Sequence, residues 1–179
     1  MEKVKLQEIQ SLVLQSLLEE FKLAEIPAEI SAQSENGIAD ILVTDHTDVG
    51  IHGEEVMGEY YFAPLAEEDS LIQYFIVTQT LTEDLPAEHL EALQLALTKI
   101  NFTLPKGAFV IDKNDHVLTY RYVSVYRDNE DPERMREMIR YHIVTSLRFV
   151  GDWIDVLTGL MEGTLSKEKF METFMNDNK

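Results

Sequence analysis

One stretch, Gly107 to Tyr126, limits what this chain can fold into more than any other. Phe109 and Ile111 fall on one side of its first half, Ala108 and Val110 on the other. Val117, Thr119, Val123 and Val125 then alternate with Leu118, Tyr120, Tyr122 and Tyr126. A period of two belongs to β-strands, and β-branched and aromatic side chains suit their half-buried, pleated surface. Between the halves, Asp112-Lys-Asn-Asp-His116 supplies a polar turn, because Asn and Asp bond to nearby backbone and tolerate the left-handed region. So short a loop makes antiparallel pairing the natural connection. A hairpin of this kind needs its apolar side covered, and the flanking segments are amphipathic helices suited to cover it.

The first of those helices runs from about Lys3 to Ala24, with Ile9, Val13, Leu17 and Phe21 recurring every four residues. Pro27 ends it. A polar stretch, Ser31 to Asn36, leads to a turn at Asn36-Gly37, and Ile38 to Thr44 is a strand with Ile41 and Val43 on one side. Asp45 to Glu55 is expected to be a polar loop. Met57 to Pro64 and Leu71 to Leu81 are two more strands, joined by the acidic turn Ala66 to Ser70. Tyr60 and Phe62 alternate with Tyr61, and Ile72, Tyr74, Ile76 and Thr78 alternate with Leu71, Gln73, Phe75 and Val77. Thr82 or Asp84 is expected to cap a second helix, with Pro86 near its first turn and Leu90, Leu93, Leu97 and Ile100 on its buried side.

After the hairpin, the acidic cluster before Pro132 marks the start of a long helix extending to about Met161. Met135, Ile139, His142, Ile143, Val150, Ile154 and Leu157 keep three- and four-residue spacing along it. Gly163 ends it, and Ser166 caps a short last helix carrying Phe170 and Phe174, followed by a frayed tail. The sequence therefore predicts one α+β domain spanning 1–179, with residues 166–179 as that last helix and tail. Its order is helix, three strands, helix, two strands, long helix, giving an antiparallel sheet of about five strands with helices on one side.

Lys and Arg total 15 against 33 Asp and Glu, a net charge of −18. Nucleic acid and anionic membrane surfaces both require clustered cations, so neither is an expected partner. A basic or partly unfolded polypeptide is compatible with such a surface. The chain has no Cys, which removes disulfides, thiolate nucleophiles and Cys-based zinc sites. Charged and polar residues interrupt the apolar run near the N-terminus, so neither a signal peptide nor a membrane span is expected, and the cytoplasm is the expected compartment.

Leu97-Thr-Lys-Ile-Asn101 and Gly107-Ala-Phe-Val-Ile-Asp112, followed by a strand, an acidic linker and a long helix, resemble the YbjN-like family. That family is labelled as bacterial sensory transduction regulators and is similar in fold to the chaperones of type III secretion systems. The resemblance covers roughly residues 93–157. It implies a curved antiparallel sheet, binding of a small protein rather than catalysis, and dimerisation. It brings no catalytic residues. The Asp45 to Glu55 loop and the final helix depart from the family pattern.

Three groups of residues carry chemistry worth weighing. His46, Asp48 and His52 gather metal-ligand types in one loop, although their spacing matches no helical His pair and no zinc finger. In so acidic a chain a solvated loop is the better reading, and no metal or cofactor is expected. Asp112-Lys-Asn-Asp115 has the opening of a calcium loop, but Val117 stands where the obligatory Gly would be and Val123 where the Glu would be. Tyr120, Arg121 and Tyr122 could form a cationic, aromatic pocket for a carboxylate or phosphate. Tyr126 and Trp153 are the interface candidates, since aromatic residues dominate binding hot spots. His142 falls on the apolar face of the long helix, where a core role is the better reading than a general base. No phosphate loop, nucleophile elbow or His-Glu-x-x-His motif is present.

The leading expectation is a non-catalytic bacterial interaction domain, an acidic chaperone-like or regulatory protein that binds a partner polypeptide and is compatible with homodimerisation. A ligand-binding sensor around Arg121 and a metal enzyme on the 45–55 loop are the alternatives.

Overall fold

The computed structural model describes residues 3–31, 40–63, 72–127 and 129–177. The expected turns at Asn36-Gly37 and Ala66 to Ser70 lie outside the described residues, as does the end of the expected tail. The elements are α1 (Lys3–Leu23), β1 (Ala28–Ser31), β2 (Ile41–Val49), β3 (Glu54–Phe62), β4 (Ile72–Thr82), α2 (Leu90–Thr103), β5 (Ala108–Asp112), β6 (Val117–Arg127), α3 (Pro132–Met161) and α4 (Lys167–Asp177). One antiparallel sheet has the order β1-β2-β3-β4-β6-β5. The class is α+β, as the patterning requires.

Two expectations about the sheet need correcting. The sheet has six strands, not five, because β1 pairs with the start of β2 along Ala28–Ser31. Four residues are too few for an alternating pattern to stand out from the loop that follows Pro27. The 45–55 segment is not a loop: β2 continues to Val49 and β3 begins at Glu54. Polar sequence stays in the ladder here because its inward members find partners inside the protein. A bulge between His46 and Val49, with Asp48 at φ 59°, brings the strand to a tight reversal at 50–53.

That reversal is fastened to α3. The Asp155 carboxylate accepts backbone N–H bonds from Ile51 at 2.9 Å and from His52 at 3.0 Å. Gly50, at φ 77°, lies so close that a Cβ there would sit 2.5 Å from Ile154 Cγ2.

Register assigns every strand residue to a face. One row runs Leu42, Tyr60, Val77, Tyr122, and another Gly58, Gln79, Tyr120, Phe109. These side chains meet the helices, which form two clusters with them. Val13, Leu14 and Leu17 of α1 pack with Leu42, Tyr60, Phe62, Phe75, Val77 and the first half of α3. Leu93, Leu97 and Ile100 of α2, with Phe170 of α4, pack with Phe109, Leu118, Tyr120 and the second half of α3.

The helix termini follow chemistry visible in the sequence. Asp131 caps α3, its carboxylate accepting from Arg134 N at 3.1 Å, with Pro132 in the first turn. Ser166 Oγ accepts from Lys169 N at 3.3 Å at the start of α4. The second helix differs from expectation. Thr82 Oγ1 accepts from Asp84 N, closing a turn rather than capping a helix. A 3-10 turn at Ala87–His89 intervenes, and α2 starts at Leu90 with no side-chain cap.

The hairpin forms as expected, with Asp112 Oδ1 accepting from Asn114 N at 2.9 Å and His116 at φ 57°. Its first strand, β5, is the sheet edge. Asn101 stands in for a further strand there. Its amide donates to Phe109 O at 2.9 Å and accepts from Phe109 N at 2.8 Å. Gly107, at φ 66°, is needed because a Cβ would collide with the Tyr120 hydroxyl, which itself donates to Lys106 O at 2.8 Å. Replacing Asn101 with Ala should cost about 2 kcal/mol, since it leaves two backbone groups of a partly buried strand without partners. Urea unfolding of Asn101→Ala measures this, and a loss under about 0.5 kcal/mol would show that β5 holds its place without the clamp.

Candidate functional site

The described surface offers an apolar recess at the helical corner. It forms where α3 ends and α4 folds back against α2. Gly163, at φ 70°, terminates α3, and Leu165 N donates to Gly159 O at 2.8 Å. Lys167 Nζ reaches Glu91 of α2 at 2.7 Å and ties α4 to that helix. The i, i+4 pair Phe170 and Phe174 then faces inward: Phe170 is buried in the core, and Phe174 stays half-buried with its ring centroid 5.7 Å away. Trp153 of α3 faces Phe174 at 6.4 Å. Together with Val156, Leu165 and Thr103 these residues line a cavity of about 480 Å³. A second hollow of about 540 Å³, lined by Phe102, Lys99 and Thr98, shares Thr103 and Phe174 with it. Phe102 is 92% exposed at the rim. The two hollows form a groove between α2 and α4 with Trp153 at its inner end.

Trp153, an expected interface residue, therefore lies where a partner can reach it. Tyr126 does not. It is 3% exposed, packed in the α1 cluster, with Ser124 Oγ donating to its hydroxyl at 3.3 Å. Of the other groove residues, the sequence marks only Phe170 and Phe174, on the last helix, and nothing local shows that α4 folds back to form a wall against α2.

The expected pocket of Tyr120, Arg121 and Tyr122 does not assemble. In a strand, neighbours point to opposite faces. Tyr120 and Tyr122 point toward the helices, while Arg121 lies exposed on the opposite face, in register with Thr78. Tyr120 is fully buried, and burial pushes its hydroxyl up to about 12. Tyr122 meets the His142 ring at 5.0 Å, and Lys106 Nζ lies 5.9 Å from the Tyr122 ring and 5.8 Å from that of Tyr141. His142 is a packed core residue, 8% exposed.

His46, Asp48 and His52 do not converge either, and among the described residues no three His, Asp or Glu side chains gather as a metal set. The His46 side chain turns inward, with Nε2 2.8 Å from Thr44 Oγ1 and 3.0 Å from the Tyr60 hydroxyl, beside the edge of the Phe21 ring. Tyr60 is fully buried, and burial pushes its hydroxyl up to about 12. His52 lies exposed at the reversal, where its backbone N–H binds Asp155. Gly58 makes room for the inner group, since a Cβ would collide with the Tyr60 hydroxyl. Gln79, fully buried in the same row as Gly58, has neither amide atom hydrogen-bonded.

The opposite sheet face carries a second apolar surface. Ile41, Tyr61, Ile76 and Val123 form one cross-strand row on it, with Tyr74 and Val125 paired beside them. Val123 is 41% exposed, Tyr74 45% and Val125 57%. The next row carries Glu29, Val43, Glu59, Thr78 and Arg121. The sequence held a signal for this, because β4 is apolar on both of its alternating sides, with Ile72, Tyr74 and Ile76 opposite Phe75 and Val77.

No protein-family model matches the chain, and no curated protein matches it in sequence. No helix among the described residues is long and apolar enough to cross a membrane. The described residues define an α+β domain with their helices on one side of the sheet, an apolar groove at the helical corner and exposed Tyr74, Val123 and Val125 on the opposite face.

Burial lowers the ring pKa of both His46 and His142 from the ordinary 6.5, and Lys106 lowers that of His142 further. The unfolded chain therefore takes up these protons first as pH falls, and stability present above about 6.5 is lost below it. Urea unfolding at pH 7.5 and 5.5 should show this loss in the wild type and a smaller one in His46→Asn and His142→Gln. Equal losses in all three proteins would show that neither ring contributes to the pH dependence.

Proposed function

We propose that this protein is a non-catalytic interaction domain that binds a segment of a partner polypeptide in the groove between α2 and α4. The observation carrying this reading is the apolar recess of about 480 Å³ with Trp153 in its wall. Such a space accepts one or two large apolar side chains, and Trp is among the residues that dominate binding hot spots. The net charge of −18 favours a segment whose apolar anchors are flanked by Lys or Arg, because complementary charge steers encounter and rejects acidic competitors. The hairpin followed by a long helix in an antiparallel α+β domain is compatible with the YbjN-like resemblance over residues 93–157, which supports a bacterial chaperone-like or regulatory role in the cytoplasm. His46 and His142, the histidines with displaced pKa values, are engaged in packing, which also favours binding over acid–base chemistry.

The chain has a single Trp, so its fluorescence reports directly on the groove. Two amphipathic peptides with the same apolar residues, one with Lys and one with Glu on the polar face, test the proposal. The Lys peptide should shift Trp153 emission saturably with a Kd on the order of micromolar. Phe174→Ala should weaken it about tenfold by removing one wall. Unchanged emission with both peptides, or equal affinity for the two, would overturn the reading.

A further inference from the structure

We propose that a hollow on the sheet face away from the helices binds an organic cation of polyamine type, with ammonium groups joined by methylene chains. This inference is independent of the groove between α2 and α4. The hollow measures about 510 Å³ and crosses three neighbouring strands. Asp45 of β2, Glu55 and Met57 of β3 and Thr80 of β4 line it, with Glu83 just past the end of β4. Asp45, Met57 and Thr80 form one cross-strand row. Glu59 stands two residues from Met57, so alternation puts it on the same face.

Two separate observations point to a cation. The first is uncompensated charge. Among the described residues no ion pair includes Asp45, Glu55, Glu59 or Glu83. The Glu59 carboxyl is held above the usual range, by burial and then by the neighbouring Glu83. Arg121 shares the register row of Glu59 but stands two strands away, beyond β4. The second observation is Thr80. It is only 8% exposed, it lines the hollow, and its hydroxyl forms no hydrogen bond among the described residues. A buried hydroxyl left unpaired is unfavourable, and an ammonium donating to it would satisfy it.

The layout selects an organic cation over a metal ion. Among the described residues no three His, Asp or Glu side chains gather as a metal set. Asp45 and Thr80 lie two strands apart, about 9.6 Å at the usual strand spacing, which is wider than the shell of one ion. Met57 lies between them in the row, and its apolar side chain suits methylene groups. One ammonium would meet Asp45 and Glu55, and another the Thr80 hydroxyl with Glu59 and Glu83. Free polyamines carry this chemistry, and so do paired lysines of a polypeptide.

Titration calorimetry of the full chain at low ionic strength tests the proposal, with spermidine and the blocked dipeptide acetyl-Lys-Lys-amide as probes. At least one of them should bind one to one with a Kd on the order of 10–100 μM. Butylamine, with a single ammonium, should bind about tenfold more weakly or worse. Tighter spermidine would assign free polyamines as the source, and a tighter dipeptide would assign the lysines of a polypeptide. Thr80→Val keeps both shape and charge, and it and Glu83→Gln should each weaken binding about tenfold. Glu137→Gln, at an exposed position on α3, should change it by no more than about twofold. Phe174→Ala should leave it unchanged, so that failure here and failure of the groove reading are told apart. Circular dichroism checks that the variants fold, and the exposed Glu83→Gln carries the test if Thr80→Val does not. No saturable binding of either probe would overturn the proposal. So would binding that both hollow variants leave unchanged, or that Glu137→Gln weakens as much as Glu83→Gln does, since diffuse surface charge would then account for it.

Discussion

The packing of α3 against the sheet is the constraint on which the rest of this structure depends. Its 30 residues span about 45 Å at the helical rise of 1.5 Å per residue. One stripe, from Met135 through Ile139, Ile143, Val150 and Ile154 to Leu160, is buried along almost the whole length. The first half closes the cluster with α1, and the second half closes the cluster with α2 and α4. Neither α1 nor α2 could find its place without this shared wall. The same helix holds the β2–β3 reversal through Asp155 and presents Trp153 to the groove. Arg136 and Arg140 add charged contacts to Glu20 of α1, which matter less, because exposed ion pairs contribute little.

Putting every helix on one face has two consequences. The inner face must accommodate several polar groups along with the apolar ones. Thr44, His46 and Tyr60 satisfy one another, and Gln10 donates to Gln73 at 3.1 Å. Gln79 is the least well served, lying near the Tyr60 hydroxyl with no closely aligned hydrogen bond to either amide atom. The outer face is mixed: Ile41 and Ile76 are buried there, while Tyr74, Val123 and Val125 are exposed, with acids on β1–β3 and arginines on β6 beside them. A sheet buried on both sides is apolar on both alternating sets of strand residues, and β4 has that composition, with Ile76 buried on the side away from the helices.

The residues carrying the family resemblance have structural duties here. Asn101 clamps the backbone of β5, and Gly107 admits the Tyr120 ring. A side-chain clamp and an obligatory left-handed glycine are local devices with fixed geometry, which is why a hairpin was legible in this stretch. The same duties explain why the stretch conveyed little about a site. The candidate residues chosen for their chemistry separated in space. Tyr120, Arg121 and Tyr122 were divided by strand alternation, a rule the sequence already contained. His46 was drawn away from His52 by its contacts with Thr44, two residues away on the same face of β2, and with Tyr60 on the neighbouring strand, a partner no local pattern reveals.

By itself the sequence determined the helices and the cores of the strands other than β1, the start of α3 at the acidic cluster before Pro132, the cap at Ser166, the hairpin turn and the alternation of strand residues between two faces. All of these follow from interactions between residues close in the chain, where backbone geometry fixes the outcome. Only the tertiary structure decided that Ala28–Ser31 joins the sheet, that 45–49 and 54–55 are strand rather than loop, and that α4 folds back to build a groove beside Trp153. Those outcomes depend on partners far apart in sequence: β1 needs β2, the polar end of β2 needs Tyr60 and Asp155, and the groove needs α2. Which side of the sheet the helices cover is decided in the same way, because alternation defines two faces and only long-range packing chooses between them.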